Sequence, residues 1–274
     1  MMAFAQAHHF ILSANFHGGA EVINYPWDTW SRRHPDDAWF QYIGLEYVQT
    51  AKKYAPPSYF TDVSPTGVIN GYEWYRVCGG RQDWMVYFQG CREVTIELSE
   101  TKLVAESALP LYWEYNREAL VGYLEKGLTG LTGKVADRLG HPLRAEISLL
   151  NHDTAQDRSA VWTNPKTGRF YRLCLPGAYS IQVIVNPFTP LIQPDVGVGE
   201  RSLFNFTFAN IAIGDLDGNG ALNVADVVRL LRITRKQNPP DAATACLADW
   251  NNDGTINRRD WQELITYILQ HAAK

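Results

Sequence analysis

Two stretches of this chain repeat one another with residues that leave little freedom in how they can fold. "GDLDGNGALNVADVVRLLR" (214–232) matches "ADWNNDGTINRRDWQELIT" (248–266), with Pro239 and Pro240 between the copies. The first copy places Asp215, Asp217, Asn219, Gly220, Ala221 and Asp226 at positions 1, 3, 5, 6, 7 and 12 of a twelve-residue loop. The second places Asp249, Asn251, Asp253, Gly254, Thr255 and Asp260 at the same positions. Side-chain oxygens at 1, 3 and 5, a glycine at the tight turn, a carbonyl at 7 and a carboxylate at 12 suit calcium, a hard cation that gathers about six to eight oxygens. One Asp/Asn/Gly-rich turn would be an ordinary surface loop. Two in register, each leading into a helix-like run, predict two calcium sites. Leu222 and Ile256, at position 8, are expected to join the loops through an apolar contact. Trp261, Leu264, Ile265, Ile268 and Leu269 recur at helical spacing and predict an apolar helix face.

The rest of the chain divides by rhythm. Residues 1–127 mix apolar strands such as "VTIELS" (94–99) with the helical pattern "LPLYWEYNREALVGYLEKG" (109–127), which reads as α/β. Residues 128–209 carry short β-type runs separated by turn signals, from "LTGKVAD" to "LFNFTF", and predict a small antiparallel sandwich. Residues 211–274 hold the repeat. Net charge is -4, without the basic face that nucleic acid requires. Nine tryptophans and a 12% aromatic share fit aromatic-walled pockets or binding faces as well as ordinary packing. The four cysteines (Cys78, Cys91, Cys174, Cys246) show no CxxC spacing; they are too few for a disulfide scaffold and leave room for one bridge. No run approaches the ~18 apolar residues of a membrane span. "MMAFAQAHHF" lacks the basic start and small-residue cleavage site of a signal peptide. It reads as the end of a helix running into a strand at Phe10.

Chemistry concentrates in two places. "FILSANFHGGAEVINYPWD" (10–28) sets His17 at the end of an apolar strand, before a glycine pair that lets the backbone turn, which suits a metal ligand. "GVINGYEWYRVCGGRQDWMVYFQGCREVTIELSETK" (67–102) follows. With its "NGYEWY", "GGRQDW", "CREVTIELS" and "YWEYN" segments in order, the chain resembles the C-terminal part of a zinc metallocarboxypeptidase of the N/E-type (regulatory) subfamily, from residue 1 to about 209. That resemblance implies a truncated α/β carboxypeptidase domain followed by an all-β transthyretin-like sandwich. It implies His17 as the third zinc ligand, Glu97 as the general base acting on zinc-bound water, and Tyr75 as the tyrosine that closes over the substrate's C-terminus. Asp28 and Gln82 match the pocket for the last side chain, and a carboxylate beside an amide there favours a C-terminal Arg or Lys. Cys91 matches a position that pairs with another cysteine, for which Cys78 is the nearest substitute.

The repeat is similar to a type I dockerin, a small all-α, EF-hand-like pair. It has aspartate at position 12, and positions 10 and 11, which help to contact a cohesin in that family, are Val224-Ala225 and Arg258-Arg259. The two copies differ there, which argues against a symmetric partner contact. Two further zinc ligands, an H-x-x-E motif, precede the His17 position in the carboxypeptidases. No such pair precedes it here, and one histidine cannot hold a catalytic zinc tightly. The expectation is an extracellular carboxypeptidase with zinc and two calcium ions, acting on peptides with a basic C-terminus and docked on a cohesin-like scaffold. The 274-residue chain alone is expected to be inactive, its signal peptide and first strands lost with a missing N-terminus, and its sheet left with an unpaired edge. The alternative is a secreted binding or assembly protein built from a dead peptidase fragment.

Overall fold

A computed structural model describes residues 2–237 and 239–271; residue 1, Asn238 and positions 272–274 of the repeat segment lie outside it. The first segment runs α1 (Met2–Ala7), β1 (Leu12–His17), β2 (Ala20–Tyr25), α2 (Asp37–Ala51), β3 (Val68–Asn70), α3 (Gly71–Trp74), α4 (Arg81–Gln89), β4 (Arg92–Ser99) and α5 (Leu109–Glu125). The first strand begins at Leu12 rather than Phe10, because α1 ends at Ala7 and a short bend intervenes. The sheet order is β1-β4-β2-β3, with β4 parallel to β1 and antiparallel to β2. Alternation along β4 sends Val94 and Ile96 into a core shared with Trp39, Phe40, Ile43 and Tyr47 of α2 and Ala119 and Tyr123 of α5. Each such side chain, fully buried, contributes about 1.5–3 kcal/mol. The same alternation turns Glu93, Thr95 and Glu97 to the other face, in register with Ser13, Asn15 and His17 of β1. One face of the sheet is thus a hydrophobic floor and the other a polar ladder. The outer side of β1 has no strand beside it among the described residues, and Phe16 is exposed there, as expected of an open edge.

The second segment contains β5 (Gly130–Asp137), β6 (Glu146–Leu149), β7 (Val161–Trp162), β8 (Arg169–Arg172), β9 (Gly177–Ile184), β10 (Leu191–Val198) and β11 (Arg201–Phe208). They form two sheets, β10-β9-β6-β7 and β11-β5-β8, around a common core that includes Leu131, Ile147, Phe170, Val183 and Phe208. The sandwich is not wholly antiparallel. β11 runs parallel to β5, because the chain leaves one sheet at Val198 and enters the other at Arg201, arriving beside β5 in the same direction. β10 carries no strand signature in the sequence, since Pro194 lacks a ladder donor and Gly197 weakens the run. It survives as an edge strand whose register slips between Gln193 and Val196, with Pro194 inside the irregularity.

The third segment is helical: α6 (Val224–Thr234), α7 (Ala242–Ala248) and α8 (Arg258–His271). Leu216, Val227, Leu230, Ala248 and Leu264 form its core, with Leu222, Ile256, Trp261, Ile265 and Ile268 packed around them. Both position-8 residues therefore belong to one cluster. Leu269 does not; it is exposed, since a further 100° of helix rotation past Ile268 carries it off the stripe. Ile211 and Ile213 lie in the sandwich core, and Cys246, Leu247 and Trp250 pack against it. All four cysteines are free thiols. The bridge that the resemblance implied is absent: Cys91 is buried with its Sγ 3.2 Å from Ser13 Oγ, whereas Cys78 is on the exposed loop before α4. Among the described residues no helix is long and apolar enough to cross a membrane.

Candidate functional site

The polar ladder ends in the pair that the sequence singled out. His17, the last residue of β1, is opposite Glu97 of β4, and His17 Nδ1 is 2.8 Å from Glu97 Oε2. The histidine is exposed while the glutamate is buried, so the carboxylate is fixed and faces outward through the imidazole. Among the described residues, neither group of acids and histidines spaced to share a metal ion includes His17. The residues present around it therefore do not by themselves fit a catalytic zinc, which needs three protein ligands.

Asp28 and Gln82 meet where the chain leaves β2 and where α4 begins. Gln82 Nε2 donates to Asp28 Oδ1 at 3.0 Å and to Asn24 Oδ1 at 2.7 Å, all three side chains being buried. Asp83 fixes the adjoining backbone, accepting from the Asp28 and Thr29 amides at 3.0 and 2.9 Å. A Cβ at Gly71 would overlap Asp28 Oδ1, so only glycine lets α3 pass this close. Burial, and then the nearby Asp83 charge, push the Asp28 carboxyl up to about 7. No cation is paired with Asp28 among the described residues. Tyr75 follows α3, half exposed; partial burial, followed by the charges of Glu97 and Asp28, raises its hydroxyl pKa. Of the five residues expected to act together, the structure pairs His17 with Glu97 and Asp28 with Gln82, while Tyr75 makes no hydrogen bond to any of them among the described residues. Sequence reasoning missed Asn24 and Asp83, which carry no motif of their own and matter only through what they hold. A separate apolar cavity of about 600 Å³ lies beside α4, walled by Trp30, Trp84, Tyr87 and Phe88, and accounts for part of the aromatic surplus.

The two loops of the repeat share most of their internal hydrogen bonds. Gly220 N donates to Asp215 Oδ2 at 3.0 Å, and Gly254 N to Asp249 Oδ2 at 2.8 Å. Both glycines have φ near +85, at 88° and 84°. The Asn219 and Asp253 amides reach back to Asp217 and Asn251, and those of Ala221 and Thr255 to Asn219 and Asp253. Asp226 and Asp260, at position 12, accept from the Asn223 and Asn257 amides at 2.9 and 2.8 Å. The carboxylates of Asp215, Asp217 and Asp226 lie within 4.8 Å of one another. Asp215 Oδ1 is buried without a partner, an acceptor turned into the loop with nothing to accept. In the second loop burial, with neighbouring acids adding, raises Asp249 and Asp260 above the usual carboxylate range. An oxygen-only donor set with an orphaned buried carboxylate oxygen fits calcium.

Fold and site together define a peptidase-type α/β segment, a β-sandwich and a paired-loop helical unit. Residues 1–119 match the zinc carboxypeptidase family and residues 213–269 match the dockerin type I domain. The first segment belongs to the zinc carboxypeptidases, and the repeat is a dockerin; the one implies zinc and the other calcium. Carboxypeptidase D of Homo sapiens is 37% identical over 228 residues, covering 76% of this chain and 16% of its own. Carboxypeptidase M of Mus musculus is 35% identical over 198 residues, 68% of this chain and 44% of its own. The carboxypeptidase N catalytic chain of Homo sapiens is 35% identical over 219 residues, 72% of this chain and 45% of its own. This chain thus spans less than half the length of each relative. Among solved structures, a type II cohesin–X-dockerin complex from Acetivibrio cellulolyticus covers 50% of this chain and 94% of its own at 14% identity and a TM-score of 0.28, too slight a likeness to carry an argument.

Proposed function

We propose that these residues supply the base, the third zinc ligand and the specificity pocket of an extracellular metallocarboxypeptidase that removes C-terminal arginine or lysine from peptides. The observation that carries this reading is the Asp28 carboxylate, buried on Gln82 and Asn24 and held near neutrality for want of a cation. A guanidinium or ammonium entering the pocket supplies that charge and restores the carboxylate, whereas an aromatic side chain would leave it buried and unpaired. Glu97, fixed at the sheet end beside His17, takes the proton of the attacking water. Tyr75, free to swing, covers the substrate's end. Segments 1–127, 128–209 and 211–274 act as peptidase, transthyretin-like sandwich and calcium-loaded dockerin. In the dockerin Asp215, Asp217, Asn219, Asp226 and the Ala221 carbonyl hold one ion, and Asp249, Asn251, Asp253, Asp260 and the Thr255 carbonyl the other. A cohesin-type scaffold is the partner this unit fits.

The reading needs two further zinc ligands, and no H-x-x-E pair precedes His17, so the 274-residue chain alone is expected to be inactive. Incubated with equimolar zinc and a peptide ending in Arg, it is expected to release nothing. Extended upstream to include an H-x-x-E pair, it is expected to release Arg at least about tenfold faster than Phe, a preference that Asp28→Ala abolishes. Turnover by the 274-residue chain would overturn the ligand argument, and a Phe preference the pocket assignment. Absence of activity in the extended chain would favour a binding or assembly protein, a reading to which the lone His17 already lends weight.

A further inference from the structure

The calcium loops of the dockerin do not stand free: the sandwich reaches into them. Arg138, in the turn after β5, directs Nη2 to Asp215 Oδ2 at 2.9 Å. Its guanidinium lies 3.6 Å from where a Cβ on Gly220 would be, so it rests on the loop's tight turn. The same turn makes further contacts. The Arg138 amide donates to Ile211 O at 3.1 Å, Ile213 N donates to Asp137 Oδ2 at 2.8 Å, and Asn252 Nδ2 of the second loop donates to Pro142 O at 2.8 Å. His141 meets the rings of Trp250 and Tyr267 edge-on at 4.9 and 5.1 Å.

We propose that Arg138 is a positioning residue for the first calcium site, so that calcium binding and docking of the dockerin on the sandwich form one coupled equilibrium. This rests on the calcium reading above. The geometry divides Asp215 between two tasks. Its outer oxygen is held twice, by Arg138 and by Gly220 N, while its inner oxygen is buried with no partner and points into the ligand set. A carboxylate so clamped cannot rotate its inner oxygen away, and pre-set ligands bind more tightly than ligands that must be ordered. At the second loop Arg144 of the sandwich comes within 3.9 Å of where a Cβ on Gly254 would be, but among the described residues it makes no hydrogen bond to Asp249, whose oxygens are met by backbone amides of their own loop at 3.0 and 2.8 Å. Coupling is reciprocal, so if Arg138 strengthens calcium at the first site, calcium must strengthen the hold on the turn. The position-10 and position-11 residues, Val224 with Ala225 and Arg258 with Arg259, remain exposed. The sandwich therefore orients the dockerin without covering the residues a cohesin would meet.

The test uses the whole chain with calcium chloride, counting bound ions by calorimetry and following amide exchange at residues 137–144, none of which is a calcium ligand. Two ions are expected, with exchange at the Arg138 amide slowed about tenfold by calcium. Arg138→Met is expected to weaken one site about fivefold, leave the other unchanged and erase the protection of the turn, with Arg138→Lys partly restoring it. Two ions bound with an indifferent turn would overturn the coupling and leave the calcium reading standing. A first site tightened by Arg138→Met would show that the guanidinium only repels the ion, which also overturns the proposal. No calcium bound at all would overturn both.

Discussion

Among the described residues two clusters are close enough to hold a metal ion, and they settle their charge in opposite ways. Asp36, His152 and Asp153 lie where the first segment meets the sandwich; Asp215, Asp217 and Asp226 line the first dockerin loop. In the former, two arginines have taken the place that a cation would occupy. Arg92 meets Asp36 Oδ2 at 2.6 Å, and Arg172 meets Asp36 Oδ1 at 2.7 Å and Asp153 Oδ1 at 2.6 Å; Asp36 and both arginines are buried and Asp153 is partly so. Burial opposes it, but Arg172 and Arg92 hold the Asp36 carboxyl well below the usual range. In the latter, three carboxylates face a single arginine at the rim, and one buried oxygen has no partner. Proximity of acids says little by itself. What distinguishes a structural knot from a metal site is whether the positive charge is already built in.

The largest effect should come from breaking the filled cluster. Arg172→Met leaves the buried Asp36 and the partly buried Asp153 with half of their compensation, a situation that typically costs about 3–5 kcal/mol. Urea unfolding followed by tryptophan fluorescence should show that loss, and it should be insensitive to calcium. A loss below about 1 kcal/mol would mean that the knot only fills space, and the contrast with the dockerin loop would fail.

A second effect is hidden by compensation. His34 abuts Asp36, its Nδ1 accepting the Asp36 amide at 2.9 Å, and burial pushes it down to about 3. Between about 6.5 and 3 the unfolded state holds the extra proton, so stability is lost as pH falls through 6.5, by about 2 kcal/mol from pH 7 to 5. Asp28 has the opposite sign. Raised to about 7, it is protonated in the folded state where the unfolded chain is ionised, so its contribution improves as pH falls from 7 towards 4, by a similar amount. These two contributions should therefore largely cancel between about pH 7 and 5. Asp28→Asn should gain roughly 2 kcal/mol or more at pH 7 and expose the acid loss that belongs to His34. Unchanged stability at pH 7 would show that Asp28 is not held neutral, and would weaken the pocket assignment with it.

What could be read in advance follows from how far apart the cooperating residues are. Each repeat loop draws its candidate calcium ligands from one short stretch, so spacing alone exposes the chemistry; His17 and Glu97 come from different strands and became a pair only through resemblance to a family. The Asp36 knot is assembled from residues 36, 92, 153 and 172, each unremarkable in its own neighbourhood, and no periodicity announces it. Arg138 is hidden for the same reason, being a turn residue until the dockerin folds back on it. β10 shows the reverse failure, where Pro194 and Gly197 erase the local signal and the edge position tolerates them.

The smallest effect tests whether the loops are as alike as their bonds suggest. Asn223 Oδ1 accepts Ala225 N at 2.8 Å and Asn257 Oδ1 accepts Arg259 N at 2.8 Å, each side chain closing the start of the helix that follows its loop. Removing either cap, as Asn223→Ala or Asn257→Ala, should cost about 1 kcal/mol, read as the calcium-free thermal midpoint of the dockerin helices by circular dichroism. Equal losses would mean that the two copies differ only in what the sandwich adds from outside. A smaller loss at Asn223 is the outcome expected if Arg138 already braces the first loop, since a loop held from its far side depends less on its own cap. Repeating the pair in Arg138→Met should then narrow the difference, because the brace on the first loop has been withdrawn while the Asn252 contact to Pro142 remains on the second.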